Sequence, residues 1–211
     1  MILIGQYDSP FVRRVAVTLA HYHMPFTRNP LSIFGDAEKV QALNPLLRVP
    51  ALVLESGETL IDSGAILDHL DEQAGPARAL IPPHGAERRK ILQAMAVSTG
   101  ISEKIVALFF ERLFHKKDAV SHTLEKRQLS QIAHGLAHLE RECGSPWFID
   151  SRMSQADVTI GCMLSHLKLR MPELFPATKY PKLHALSLHC ETRDEFVACR
   201  PGEDETVPSA S

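Results

Sequence analysis

Three short stretches hold residues that can do chemistry together. In "QYDSPFVRRVAV", residues 6–17, Ser9 precedes Pro10 where an apolar run gives way to a helical pattern. A helix start offers unpaired backbone N–H groups and a partial positive charge, and proline suits the first helical position because no N–H is wasted there. Ser9 is then the cap, a role worth roughly 1 kcal/mol with no further function. In "IDSGAIL", residues 61–67, Asp62 and Ser63 again stand between a strand and a helix. Backbone amides at such a start can hold a carboxylate, with Asp62 holding an ammonium group beside it. A ligand carrying both groups on one carbon is an α-amino acid; the same two residues serve equally well as a plain capping pair. In "NPLLRVPAL", residues 44–52, Val49-Pro50 lies just before a strand. Proline cannot donate to a ladder and belongs at a strand's start. A cis bond there would turn the Val49 N–H and C=O toward a peptide ligand, although sequence does not fix the isomer.

The elements that must position these residues follow from periodicity. "ILIGQY" (2–7) reads as a strand, and Pro10 to about His23 as a helix with Val12, Val15, Ala16 and Leu19 on one face. A second strand is expected in 25–30, a helix at Asp36–Leu43, and a hairpin over 50–62 turning at Ser56-Gly57. Ser63 to about Gln73 is a helix stopped by Gly75-Pro76. The order is β-α-β-α-β-β-α. "GPARALIPPHG" (75–85) reads as a linker, and 86–115, 121–143, 155–170 and 181–198 all read as helices. The expected organisation is therefore a mixed α/β domain over 1–76, a linker at 77–85, an all-helical domain over 86–199, and a disordered tail at 200–211.

Composition narrows the function. The 211 residues carry a formal charge of −2, with no basic stripe for a nucleic acid. No basic region precedes the short apolar start, and no uninterrupted apolar run approaches the ~20 residues that span a bilayer. The expectation is a cytoplasmic protein with neither membrane nor nucleic-acid partners. The four cysteines, Cys143, Cys162, Cys190 and Cys199, form no CxxC pair and read as partly buried thiols. His134, His138 and Glu142 lie four apart, but the spacing fits a solvated helix face better than a metal site, and none is expected. Of Arg13 and Arg14, one is expected to tie to the helical domain and the other to be solvated. Ser154 and Asp157 fit the capping pattern of a helix start.

Taken in order, "SPFVRRV", "NPLLRVPAL" and "LIDSGAIL", with "SQADVTIG" at 154–161, resemble the cytosolic glutathione S-transferases, in particular bacterial serine-type members. The likeness covers about residues 1–199. It implies a thioredoxin-like N-terminal domain followed by an all-α C-terminal domain. It also implies that Ser9 donates to the glutathione sulfur, Val49 pairs with the cysteinyl backbone, and Asp62 and Ser63 hold the γ-glutamyl end. Arg48 is the candidate for the glycyl carboxylate. Tyr7 is the rival to Ser9, two residues earlier, or else a wall of the acceptor pocket, for which Phe110 on the long fourth helix is the other choice. Glutathione would be a co-substrate, no cofactor tightly bound, the partner a small electrophile, and the assembly a homodimer. A binding or regulatory protein that keeps the fold without catalysis is the alternative.

Overall fold

The computed structural model describes residues 1–115, 122–149 and 151–205. The chain forms two compact units. One is Met1–Gly85 joined by the described residues from Thr192 onward; the other is Ala86–Glu191.

The first unit contains β1 (Ile2–Ile4), α1 (Pro10–His21), β2 (Thr27–Asn29), α2 (Ala37–Leu43), β3 (Ala51–Val53), β4 (Thr59–Ile61) and α3 (Ser63–Ala74). The four strands pair in the order β2-β1-β3-β4, with β1 and β2 parallel and the other pairs antiparallel. This is the thioredoxin-like arrangement that the resemblance implies. α1 packs on α3 and on β1. Val12, Val15, Ala16 and Leu19 are all fully buried there, as their helical spacing requires.

The second unit is helical: α4 (Gly85–Phe114), α5 (His122–Glu142), α6 (Gln155–Arg170), a short 3-10 turn at Pro172–Leu174 and α7 (Pro181–Glu191). α6 is buried nearly all round, from Gln155 to Leu164, which makes it the central helix. By length and composition α4 is apolar enough to cross a bilayer, a property that Glu103 and Lys104 hide from a search for uninterrupted runs. Its buried residues, among them Ile91, Met95, Ser98, Ile105 and Leu108, recur every three or four positions and face a protein core. His138 and Glu142 both meet the Arg141 guanidinium, and His134 meets Ser130.

Several expectations are corrected. The first strand ends at Ile4, because Gly5 takes φ +123 and leaves strand geometry, so Tyr7 and Ser9 share no strand face. The helix expected over 181–198 is two: Arg193 is extended between α7 and α8 (Asp194–Ala198), and α8 packs against α1 in the first unit. Neither arginine of the Arg13-Arg14 pair is solvated, at 2% and 5% exposure. Within the stretch 77–85, Leu80 and Ile81 are buried and donate their N–H groups to Asp71, as does the Tyr22 hydroxyl. Residues 200–205 of the expected tail are ordered and end in a 3-10 turn, Glu203–Glu205; 206–211 lie outside the described residues. All four cysteines are buried, and burial pushes the thiols of Cys143 and Cys199 up to about 11.

Asp157 holds the start of α6. Its buried carboxylate accepts the Phe148 N–H at 2.6 Å and both the N–H and hydroxyl of Ser154 at 2.8 Å. Asp157→Ala strands these donors away from water, at a cost on the order of 3 kcal/mol. Thermal denaturation is expected to show Tm lowered by roughly 6–12 °C; an unchanged Tm would exclude the role.

Candidate functional site

Strand register gathers the candidate residues. Ile4 pairs with Ala51, and Ala51 with Ile61, so the end of β1, the start of β3 and the end of β4 form one row. The residues just beyond this row are Gly5 to Ser9, Val49, and Asp62 with Ser63. Three segments far apart in sequence therefore emerge at one end of the sheet.

Gly5 lets them come close. A Cβ there would lie 2.6 Å from Val12 Cγ2 and 2.9 Å from Val49 Cβ, so the start of α1 and the Val49 loop meet over a bare backbone. With φ +123 as well, the position excludes any side chain. The Val49-Pro50 bond is cis. The loop before it is closed by Asn44, a buried side chain that accepts the Leu46 N–H at 3.0 Å and donates to the Arg48 carbonyl at 2.8 Å. The Arg48 side chain is exposed.

Ser9 caps α1 with extended backbone, and its Oγ accepts the Val12 N–H at 3.4 Å. The hydroxyl keeps its own proton for another acceptor. Pro10 follows at the first helical position, so the local geometry is the one the Ser-Pro pair dictates.

Asp62 caps α3 and accepts the Gly64 N–H at 2.7 Å. It does so at φ +67, a left-handed conformation that costs a non-glycine residue on the order of 1–2 kcal/mol. The Asp62 side chain is exposed. Ser63 is buried, and the Arg14 guanidinium donates to its Oγ at 2.6 Å. A hydroxyl that accepts from a cation has its remaining proton directed elsewhere. Arg14 thus ties the first helix to the start of the third, under the backbone amides that can receive an anion.

Tyr7 is placed differently from Ser9. It is 5% exposed, and the Arg28 guanidinium lies 3.6 Å from its ring centroid. Burial pushes its hydroxyl up to about 12. Phe110 belongs to the second unit, half-buried on α4 between Phe109 and Phe114, with ring centroids 5.9 and 6.1 Å away.

Residues of consequence that the sequence did not single out are Gly5, Arg14 in its role toward Ser63, and Glu205, whose carboxylate accepts the Tyr7 N–H at 3.2 Å. A glycine directly after an apolar strand was the available signal for the first. The partners of the other two lie 49 and 198 positions away, beyond any local pattern.

Comparison with known proteins gives a consistent picture. Residues 3–78 match the model of the glutathione S-transferase N-terminal domain, and residues 117–187 that of the C-terminal domain. An uncharacterised GST-like protein of Escherichia coli K12, YibF, is 27% identical over 204 residues, covering 95% of this chain and 98% of that one. The maleylacetoacetate isomerase of Pseudomonas aeruginosa is 25% identical over 227 residues, covering all of both chains. A solved glutathione S-transferase of Methylobacterium radiotolerans, in complex with glutathione sulfonate, superposes with a TM-score of 0.90 at 29% identity, covering 100% of this chain and 98% of its own.

The close approach at Gly5 is directly testable. Gly5→Ala must push apart α1 and the Val49 loop while holding an unfavourable φ, and is expected to cost roughly 2–4 kcal/mol. Urea denaturation with a midpoint equal to that of the wild type would show that the contact is not needed.

Proposed function

Since the chain belongs to the glutathione S-transferase family, we propose that it binds reduced glutathione and activates the thiol as the thiolate for attack on a small electrophile. The observation that carries this reading is the convergence, at one end of the sheet, of a hydroxyl at a helix start, the Val49 backbone before a cis proline and the Asp62–Ser63 pair. Asp62 takes the α-ammonium group. The amides at the start of α3, with the Ser63 hydroxyl that Arg14 orients, take the α-carboxylate. Val49 pairs with the cysteinyl backbone, and Arg48 takes the glycyl carboxylate.

Ser9 then faces the sulfur. A free thiol has a pKa of about 8.5 and is only a few per cent ionised at pH 7. Lowering it by ~2 units requires about 2.7 kcal/mol in favour of the anion. A charge-assisted hydrogen bond of about 1.5–3 kcal/mol, with up to about 1 kcal/mol from the α1 terminus, is of that size. Ser9 is favoured over Tyr7 because its proton is uncommitted toward Val12 at a helix start, whereas Tyr7 is buried with the Arg28 guanidinium over its ring. Full-length similarity to an isomerase favours a second form of the same chemistry, in which the thiolate adds to a double bond and is later expelled. A two-fold dimer and a cytoplasmic location belong to the same reading; the mass in solution by light scattering tests the first.

Isothermal titration with reduced glutathione is expected to give a Kd between the micromolar and low millimolar range. Absence of binding at millimolar glutathione would overturn the assignment. Asp62→Asn keeps a capping side chain and one tolerant of positive φ but removes the charge, and should raise Kd roughly tenfold with Tm preserved. Ser9→Ala should leave Kd near the wild-type value and lower kcat/KM toward an activated aryl halide by about tenfold or more. Equal activity in the two proteins would remove Ser9 from the mechanism.

A further inference from the structure

The loop that presents Ser9 is closed by a hydrogen bond from the Ser9 N–H to the Gln6 carbonyl at 3.2 Å, with Tyr7 inside the turn. Tyr7 is buried, so its own N–H must find an acceptor away from water. That acceptor comes from the far end of the chain: Glu205 Oε2, at 3.2 Å, which also accepts the Gly202 N–H at 3.3 Å. The other carboxylate oxygen takes the Arg28 guanidinium, which covers the Tyr7 ring. On the far side of Ser9, Arg13 in the first turns of α1 donates to the carbonyls of Cys199 at 2.9 Å and Phe196 at 3.2 Å. Residues 196–205 therefore grip the chain both two residues before Ser9 and four residues after it.

We propose that Glu205 is a positioning residue for Ser9, and that the C-terminal segment clasps the Ser9 turn in the geometry from which its hydroxyl acts. Without this carboxylate the buried Tyr7 amide has no acceptor and the Arg28 cation loses its counter-charge, so the turn loosens. Val49, Asp62 and Ser63 lie outside the clasp and keep their places. The effect on rate rests on the reading that Ser9 acts on a glutathione thiol; the effect on the turn does not.

The experiment uses the full chain with Glu205→Ala and Glu205→Gln. Hydrogen exchange at the Tyr7 amide, followed by NMR, is expected to quicken about tenfold or more in Glu205→Ala. In the same protein kcat should fall roughly five- to tenfold while Kd for glutathione stays within about twofold. Glu205→Gln, whose amide oxygen still accepts from Tyr7 and Gly202, should recover most of kcat and protect the Tyr7 amide. A Tyr7 amide that exchanges as slowly in Glu205→Ala as in the wild type would overturn the proposal. So would a variant that loses only Tm and keeps the wild-type kcat. Should Glu205→Ala fail to fold, Glu205→Asp in the full chain carries the exchange test: its carboxylate stands one methylene short of the Tyr7 amide, so quickened exchange at Tyr7 supports the clasp and wild-type protection overturns it. Should the wild type not bind glutathione, the transferase reading falls and the exchange result alone decides the clasp.

Discussion

One row of backbone pairing, Ile4 to Ala51 to Ile61, is the constraint on which the rest depends. Strand register is all-or-none, because a shift of one residue turns every side chain to the opposite face. Leu3 and Leu52, both fully buried, lock this register through the core. Once it is locked, the three segments that leave the row have no freedom to separate. The candidate site is thus a by-product of core packing: residues inside the core decide where Ser9, Val49, Asp62 and Ser63 stand. Gly5 adds the second half of the constraint, because the segments must also be able to meet without a side chain between them.

Three buried or half-buried arginines then fasten the first unit. Arg14 joins α1 to the start of α3, Arg13 joins α1 to carbonyls in and just after α8, and Arg28 joins β2 to the 3-10 turn at Glu203–Glu205. A guanidinium suits this work, because five donors in a rigid plane reach several acceptors at once without a change in protonation. Removal of one partner leaves a charge in a dry place, so such links are far costlier to break than to leave unbuilt.

The sequence reveals what is local. Ser-Pro at a helix start, the hairpin around Ser56-Gly57, the Gly75 stop and the Ser154–Asp157 box each depend on neighbours within a few residues, and each stands where its pattern points. Two elements resist such reading. The break between α7 and α8 contains neither glycine nor proline; Arg193 is extended there, and the short helix that follows packs on α1, where Phe196 and Cys199 offer carbonyls to Arg13, a partner more than 180 positions distant. The stretch 77–85 has the composition of a linker, yet Asp71 draws its amides into the first unit. In the candidate site the residues with characteristic chemistry were legible one by one, whereas the side chains that hold them, Arg14 toward Ser63 and Glu205 toward Tyr7, become visible only once the chain is folded.

The burial of all four sulfurs bears on the redox behaviour of the protein. Thiol–disulfide exchange needs a thiolate that an attacking or leaving sulfur can reach. Here no thiol is exposed, and Cys143 and Cys199 are pushed up to about 11, so at neutral pH almost none of either is ionised. A small disulfide in solution therefore finds no exposed thiol to react with, and at Cys143 and Cys199 almost no thiolate, so mixed-disulfide formation is disfavoured for as long as the fold holds.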